Sequence, residues 1–490
     1  MPGTDKPPAS WVAQALDQFG ARATAEPLER RLYRRDLASV PDFLANLFFH
    51  TTPEVVVRPQ TAAEVAQLLR FAWENGVPVT PRAAASTAFF NAVPTKGGIL
   101  LDLTALRGLV EVDQNHQRVT VQAASPWHGL DEELGYSWGL RAKSCPTSAP
   151  SATVGGWFSM GGFGIGSLKY GNLHAQVRQT EVVYANGVVA TLTPDSVPPL
   201  GWLADAEGTL GVVTQLELEV RPLPEREAHL AFRFPDLASL AQTMAALAPS
   251  SPTPYHLHFA DEGFAIMLQR GGYARMELPP SPVLAAHYEG DTTEVNRGAE
   301  EARRVAASAG GVELEPAIAE AWWAQRYADL RAKRAGPTLL GAETLLPLSN
   351  VAAFVAEAQK AGKSVGKRVY AYGLVVAPNR CLVNAFYPAN ELFTSTYLME
   401  LSLTQALYRV ALRLGGAAYG LGAWNTPYFA KAYSEEEQRD LRRRKRHLDP
   451  KGIMNPGKIY GPPALLAEPW FGLGMATLRT LLRVYQWARS

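Results

Sequence analysis

Three segments built mostly from small side chains, in a fixed order, restrict what this chain can fold into more than any other feature. They are Pro81-Arg-Ala-Ala-Ala-Ser-Thr87, the run from Cys145-Pro-Thr-Ser-Ala-Pro-Ser-Ala-Thr-Val-Gly-Gly156 through Gly161-Gly-Phe-Gly-Ile-Gly-Ser-Leu-Lys-Tyr-Gly171, and Glu207-Gly-Thr-Leu-Gly-Val-Val-Thr214. Side chains this small let backbone N–H groups approach a diphosphate and surround it with donors, which bulky or charged loops cannot do. A single such loop is more often only a turn. Three in succession point to one diphosphate-bearing ligand.

The stretches between them set the fold class. Pro53 to Pro59 reads as a short β-branched strand. Thr61, with Glu64 three residues on, has the form of a helix N-cap, and the helix runs to Asn75-Gly76. Val77 to Thr80, Gly98 to Asp102, Glu111 to Asp113 and Arg118 to Gln122 are short strands. Glu181 to Thr191 reads as a hairpin whose Asn186-Gly187 tip suits a type I′ turn. So many hairpins predict an α+β unit, not a doubly wound parallel sheet. From about Leu223, strands at 231–234 and 255–259 alternate with alanine-rich helices at 293–307 and 350–361, which reads as a separate cap domain. A chain of 490 residues exceeds one ordinary core, so two or three domains are expected.

These residues resemble the glycolate oxidase/D-lactate dehydrogenase branch of the vanillyl-alcohol-oxidase superfamily, the proteins with a PCMH-type FAD-binding domain, over about residues 50 to 460. The most specific pieces are Ser151-Ala-Thr-Val-Gly-Gly156, Ser167-Leu-Lys-Tyr-Gly171, Glu207 to Thr214, and the closing Leu448-Asp-Pro-Lys-Gly-Ile-Met-Asn-Pro-Gly-Lys458. The resemblance implies a two-subdomain FAD-binding domain at 50–223 and an α+β cap at 224–435. It also implies a segment at 436–462 that returns to the first domain; a helical arm at 1–49 and an amphipathic tail at 463–490 flank these. It assigns the diphosphate to Arg82, Ala83, Ala84, Ala85, Ser86 and Thr87 of the first loop. The second segment would pass under the flavin ring through Pro146, Thr147, Ser148, Ala152, Thr153, Gly155, Gly156, Gly166, Tyr170 and Gly171. Glu207, Gly208, Gly211, Val212 and Val213 would hold the adenine end, with Asn455 arriving from the closing motif. The activity implied is FAD-dependent oxidation of a small hydroxylated substrate, a 2-hydroxy acid, by hydride transfer to flavin N5. A protein or a quinone would then collect the electrons. Two other readings stay open: a noncatalytic FAD-binding subunit of a larger complex, and an alkylglycerone-phosphate-synthase-like flavoenzyme.

Several positions depart from the family pattern. The usual glycines of the first loop are Ala83, Ala84 and Ala85, which keep their N–H donors but resist positive φ. Asp205-Ala206 stands where Gly-Ser is usual, and an aspartate would repel phosphate unless it faces solvent or a ribose hydroxyl. No histidine or cysteine for covalent flavin attachment lies in or near the first loop, so noncovalent FAD is expected. Metal-dependent relatives carry histidine ligands in the cap, whereas the corresponding stretches here hold Tyr372 and Tyr419. Phenols are poor ligands for Zn²⁺ or Mn²⁺, so no catalytic metal is expected. The two tyrosines either move a proton or fill the cap–flavin interface. Arg326 either clamps a substrate carboxylate or lies on a helix surface over Trp323.

Other signals carry less. His256 and His258 share one strand face, half of a metal site or an interface or surface pair. Gly362-Lys-Ser364 ends a helix where a phosphate loop would open one. Arg442 to Arg446 either attracts nucleic acid or anionic lipid or complements the dipole of a helix's last turns. With Lys+Arg 47 against Asp+Glu 46, nothing in the overall charge suggests a nucleic-acid partner. Two distant cysteines, no secretory signal and no membrane-spanning run predict a cytoplasmic protein. Leu478, Leu481, Leu482, Val484, Tyr485 and Trp487 make the tail an amphipathic helix. It would dock on the cap, join a partner subunit, or touch the inner face of a membrane.

Overall fold

The computed structural model describes residues 10–270, 278–460 and 470–487. Three arm helices, Ser10–Phe19, Pro27–Leu32 and Asp42–Phe48, lead into a sheet of β1 (Ala23–Thr24), β2 (Val55–Val57), β3 (Val79–Arg82) and β4 (Ile99–Asp102). Its order is β1-β2-β4-β3, with β2, β4 and β3 parallel. Every residue of β2 and β4 is buried, as parallel strands covered on both faces require. The helix Ala62–Asn75 joins β2 to β3. Thr61 Oγ1 accepts the Glu64 N–H at 3.1 Å at its start, and Gly76 closes it with φ 63°.

The second sheet has the order β5-β6-β10-β8-β9 from β5 (Leu109–Asp113), β6 (Arg118–Gln122), β8 (Val177–Val183), β9 (Val189–Leu192) and β10 (Val212–Pro222); β7 (Leu140–Ala142) pairs with the end of β10. The β8–β9 hairpin forms as expected, but its turn differs. Gly187 N–H bonds to Tyr184 C=O at 2.8 Å, so Ala185 and Asn186 are the central pair. Only Gly187 takes positive φ, at 80°, which is a turn followed by a glycine bulge and not a type I′ turn.

The cap is one sheet with helices against it. Its strands are β11 (Arg226–Arg233), β12 (His256–Ala260), β13 (Val283–Gly290), β14 (Val312–Glu313), β15 (Thr338–Pro347), β16 (Tyr370–Ala377), β17 (Arg380–Ala389) and β18 (Ala417–Ala418), ordered β14-β11-β13-β12-β16-β17-β15-β18. Register places Glu343 of β15 opposite Asn384 of β17, and Asn384 opposite Tyr372 of β16. Side chains at such positions share one face of the sheet.

After the cap, the helix Glu435–Leu448 opens with a capping box between Ser434 and Glu437. Its Lys445 Nζ bonds Asp449 Oδ2 at 2.6 Å and Met454 C=O at 2.8 Å. The closing segment then rejoins the first sheet: Val79 N–H donates to Ile453 C=O and Asn455 N–H to Val79 C=O, each at 2.8 Å. The tail helix Trp470–Trp487 docks on the cap, with Leu482 and Phe471 buried in the cap core and Phe471 edge-on to Tyr428. Among the described residues no helix is long and apolar enough to cross a membrane.

Candidate active site

A cavity with about 1710 Å³ of empty space, open to solvent, runs between the first two sheets and the cap. Its floor comes from the three small-residue segments. Arg82 to Thr87, Pro146 to Ser148, Ala152, Thr153, Gly155, Gly156, Glu207, Gly208, Gly211, Val212, Val213 and Asn455 all line it. The floor is thin because side chains are missing where segments cross. A Cβ on Gly155 would lie 2.7 Å from Ala123 Cβ, and one on Gly208, where φ is 70°, would lie 2.6 Å from Pro81 Cγ.

Alanine does adopt the glycine-like geometry in the first loop: Ala85 has φ 51°. Glu207 and Asn455, also in the wall, have φ 48° and 40°. Such strain persists only where surrounding structure imposes it, and it gathers at ligand sites. The N–H groups of Ala84, Ala85 and Ser86 donate to no described acceptor, which leaves consecutive donors at the cavity wall. The buried Asn455 Oδ1 also lacks a partner. Unused donors on small residues beside a long cavity fit the diphosphate of a dinucleotide. Asp205 is exposed and outside the wall.

Glu207 lines the cavity, but its carboxylate is committed to protein. Leu421 N–H reaches Oε1 at 2.8 Å, while Gly422 N–H and Asn91 Nδ2 reach Oε2 at 2.7 and 2.6 Å. Burial still pushes its pKa up to about 7 against these donors. The residue therefore latches the floor to the segment leaving the cap. Lys458 belongs to the same layer, 1% exposed with Nζ on Val93 C=O at 2.7 Å, and burial lowers its pKa to about 7.

Gly166, Tyr170 and Gly171 do not line the cavity. The Tyr170 hydroxyl donates to Glu289 Oε1 at 3.0 Å, and Glu289 pairs with Arg221 at 2.6 Å. This cluster fastens β10 to β13 of the cap, so the second half of the long glycine segment braces the domain junction. Arg326 is also outside. Its guanidinium stacks 4.5 Å from both the Trp323 and Tyr327 rings, and Nη1 donates to Trp323 C=O at 2.9 Å. It sits in the turn just after the helix Pro316–Ala324 and lies over Trp323.

The roof comes from the cap: Tyr372, Leu382, Asn384, Glu343, Asp329 and Lys333, with Tyr419 beside them. Tyr372 and Tyr419 are 8% and 9% exposed. The Tyr419 hydroxyl accepts the Phe163 N–H at 3.3 Å, and burial raises its pKa far above the usual phenol value. A second chamber adjoins the cavity and shares Glu343, Asn384, Tyr372, Asp329 and Lys333 with it. Its far wall is Leu37 to Val40 of the N-terminal arm with Trp424 and Phe386. The residues missed from sequence, Glu343, Asn384, Asp329 and Lys333, sit at this junction; only strand register, which motifs do not report, brings the first two together with Tyr372.

His256 and His258 are 2% and 3% exposed, so they are not a surface pair. They stack with His287, Trp322 and Trp323 inside the cap. No histidine lines the cavity, and no cluster of metal-ligating side chains occurs among the described residues.

A sheet-bound floor of bare N–H groups beneath the cap fits an FAD-binding protein, and comparison with known proteins agrees. The FAD binding domain family matches residues 53–193, and the C-terminal domain of FAD linked oxidases matches 223–459. Glycolate oxidase subunit GlcD of Bacillus subtilis is 24% identical over 435 residues, covering 85% of this chain and 91% of that protein. D-lactate dehydrogenase of Anaerostipes hadrus is 25% identical, covering 83% and 89%. Among solved structures, p-cresol methylhydroxylase superposes with TM-score 0.78 at 17% identity over 92% of this chain and 96% of its own. An alkyldihydroxyacetonephosphate synthase gives 0.73 at 18% identity, covering 91% and 84%. The chain belongs to the FAD-linked oxidoreductases of the glycolate oxidase/D-lactate dehydrogenase family.

Proposed function

We propose that this protein dehydrogenates a small 2-hydroxy acid at the junction of the two chambers. The observation that carries the reading is the roof itself, where a carboxylate, a carboxamide, a phenol and an ammonium group meet over the cofactor floor. The names of the relatives support a hydroxy acid as the substrate class. FAD bound on the floor supplies the hydride-accepting chemistry. The chain's own groups would do the rest. Lys333, which lines both chambers, would meet the substrate carboxylate in place of Arg326. Tyr372 and Asn384 would orient the hydroxyl, and the apolar walls around Leu382 and Phe386 would exclude water.

The test is anaerobic mixing of the yellow holoprotein with glycolate, both lactate enantiomers and neutral alcohols. Bleaching by one or more hydroxy acids, at rates above those with neutral alcohols, is the expected result. Protein that stays yellow with every donor yet becomes active with a partner protein would make it a cofactor-carrying subunit instead.

A further inference from the structure

We propose that the carboxylate of Glu343 takes the proton of the substrate hydroxyl, with Asn384 and Tyr372 holding that hydroxyl beside it. The inference rests on the dehydrogenase reading above and assigns its missing base. The family's cap histidines have no counterpart in this cavity, so the proton needs another acceptor.

Three carboxyl groups line the cavity, and their surroundings separate them. Glu207 has both oxygens filled by three protein donors. Asp329 is 5% exposed and turns Oδ2 toward the buried His258 Nε2, 3.8 Å away. Among the described residues Glu343 has no cation within ion-pair distance and a single side-chain hydrogen bond, from Asn384 Nδ2 at 3.4 Å, long enough for a substrate oxygen to compete. It is also less enclosed than the other two and, unlike Glu207, borders both chambers. Pairing along adjacent strands fixes Glu343, Asn384 and Tyr372 in one row, so the acceptor stands on rigid sheet and not on a loop.

Burial raises the Glu343 pKa from the usual carboxylate value to about 7, which suits a group that must accept a proton near neutral pH and then give it up. In the step, the substrate O–H bond breaks and its proton passes to Glu343 Oε. The O–H electron pair becomes the second bond of the carbonyl, and the carbon's hydrogen leaves with its pair to oxidised flavin. Nothing beyond substrate and oxidised FAD is consumed.

Glu343→Gln keeps the shape and removes the acceptor; Glu343→Asp keeps a shortened one. For the wild type, the rate constant for anaerobic bleaching should rise with pH to a plateau with a midpoint near 7. Glu343→Gln should bleach about a hundredfold or more slowly, without that rise and with unchanged FAD content, and Glu343→Asp should recover part of the rate. A second readout needs no turnover. Because the folded pKa lies above the unfolded one, ionising Glu343 weakens the fold: the cost is absent below pH 4.5 and complete above pH 7. The Tm gain of Glu343→Gln over wild type should therefore be larger at pH 8 than at pH 5. Wild type bleached by a hydroxy acid while Glu343→Gln bleaches within threefold of it would overturn the assignment, as would equal Tm differences at the two pH values. Wild type that no donor bleaches would instead overturn the dehydrogenase reading, and this inference with it.

Discussion

Lys333 and Arg326 are near neighbours in sequence with different surroundings, and that difference decides which can meet a carboxylate. The Arg326 guanidinium is sandwiched against two rings and bonded to the Trp323 carbonyl outside the cavity. Lys333 lines both chambers, and among the described residues its Nζ has only a long 3.4 Å bond to Leu37 C=O. Burial lowers its pKa, yet Asp36 and Glu391 oppose that shift and favour the charged form. A charge-assisted hydrogen bond contributes about 1.5–3 kcal/mol. Lys333→Met should therefore lower kcat/KM about ten- to hundredfold for acidic substrates and leave neutral alcohols nearly unaffected. Arg326→Ala should show no such selectivity, because its loss is packing on Trp323. Steady-state kinetics on one acidic and one neutral donor separates the two. Equal losses on both donors for Lys333→Met would remove the lysine from substrate recognition.

Among the elements, the tail helix shows how a pattern reports a fate it cannot choose. Its leucines mark one apolar side, but the same spacing serves a membrane, a partner or the chain's own cap. The structure buries Leu482 fully and leaves Leu481 and Val484 more than half exposed, so the docked stripe is narrow. Leu482→Ala should cost about 2–5 kcal/mol if the helix stays docked, seen as a lower urea midpoint. No loss would mean the helix contributes little to the fold. Legibility elsewhere followed the same division between local and distant causes. The cap at Thr61 and the order of the small-residue segments are local chemistry and were readable. The Tyr170–Glu289–Arg221 cluster joins three distant stretches, and a glycine-rich motif says nothing of which side it will face. Tyr372 was readable, but Glu343 and Asn384 were hidden for a related reason: each is unremarkable in its own strand, and only pairing brings them beside Tyr372.

At the scale of the whole molecule, the cavity is where the separately packed parts meet, so its ligand should stabilise all of them together. Glu207 ties the floor to Leu421 and Gly422, Arg221 ties β10 to Glu289 of the cap, and Tyr397 of the cap bonds Ser39 C=O of the arm. These links cross every boundary around the site. A ligand that binds only the folded state adds RT ln(1 + [L]/Kd), about 4.1 kcal/mol at a thousandfold excess over Kd. The first loop offers backbone donors and no attachment residue, so we expect FAD to be held without a covalent bond. Acid precipitation should then leave the yellow colour in the supernatant, whereas flavin retained in the pellet would refute noncovalent binding. Apoprotein given increasing FAD should melt in a single transition that moves upward with the logarithm of FAD concentration. Two transitions, of which only one shifts, would mean that the cap unfolds independently and that the links across the cavity are too weak to couple it to the floor.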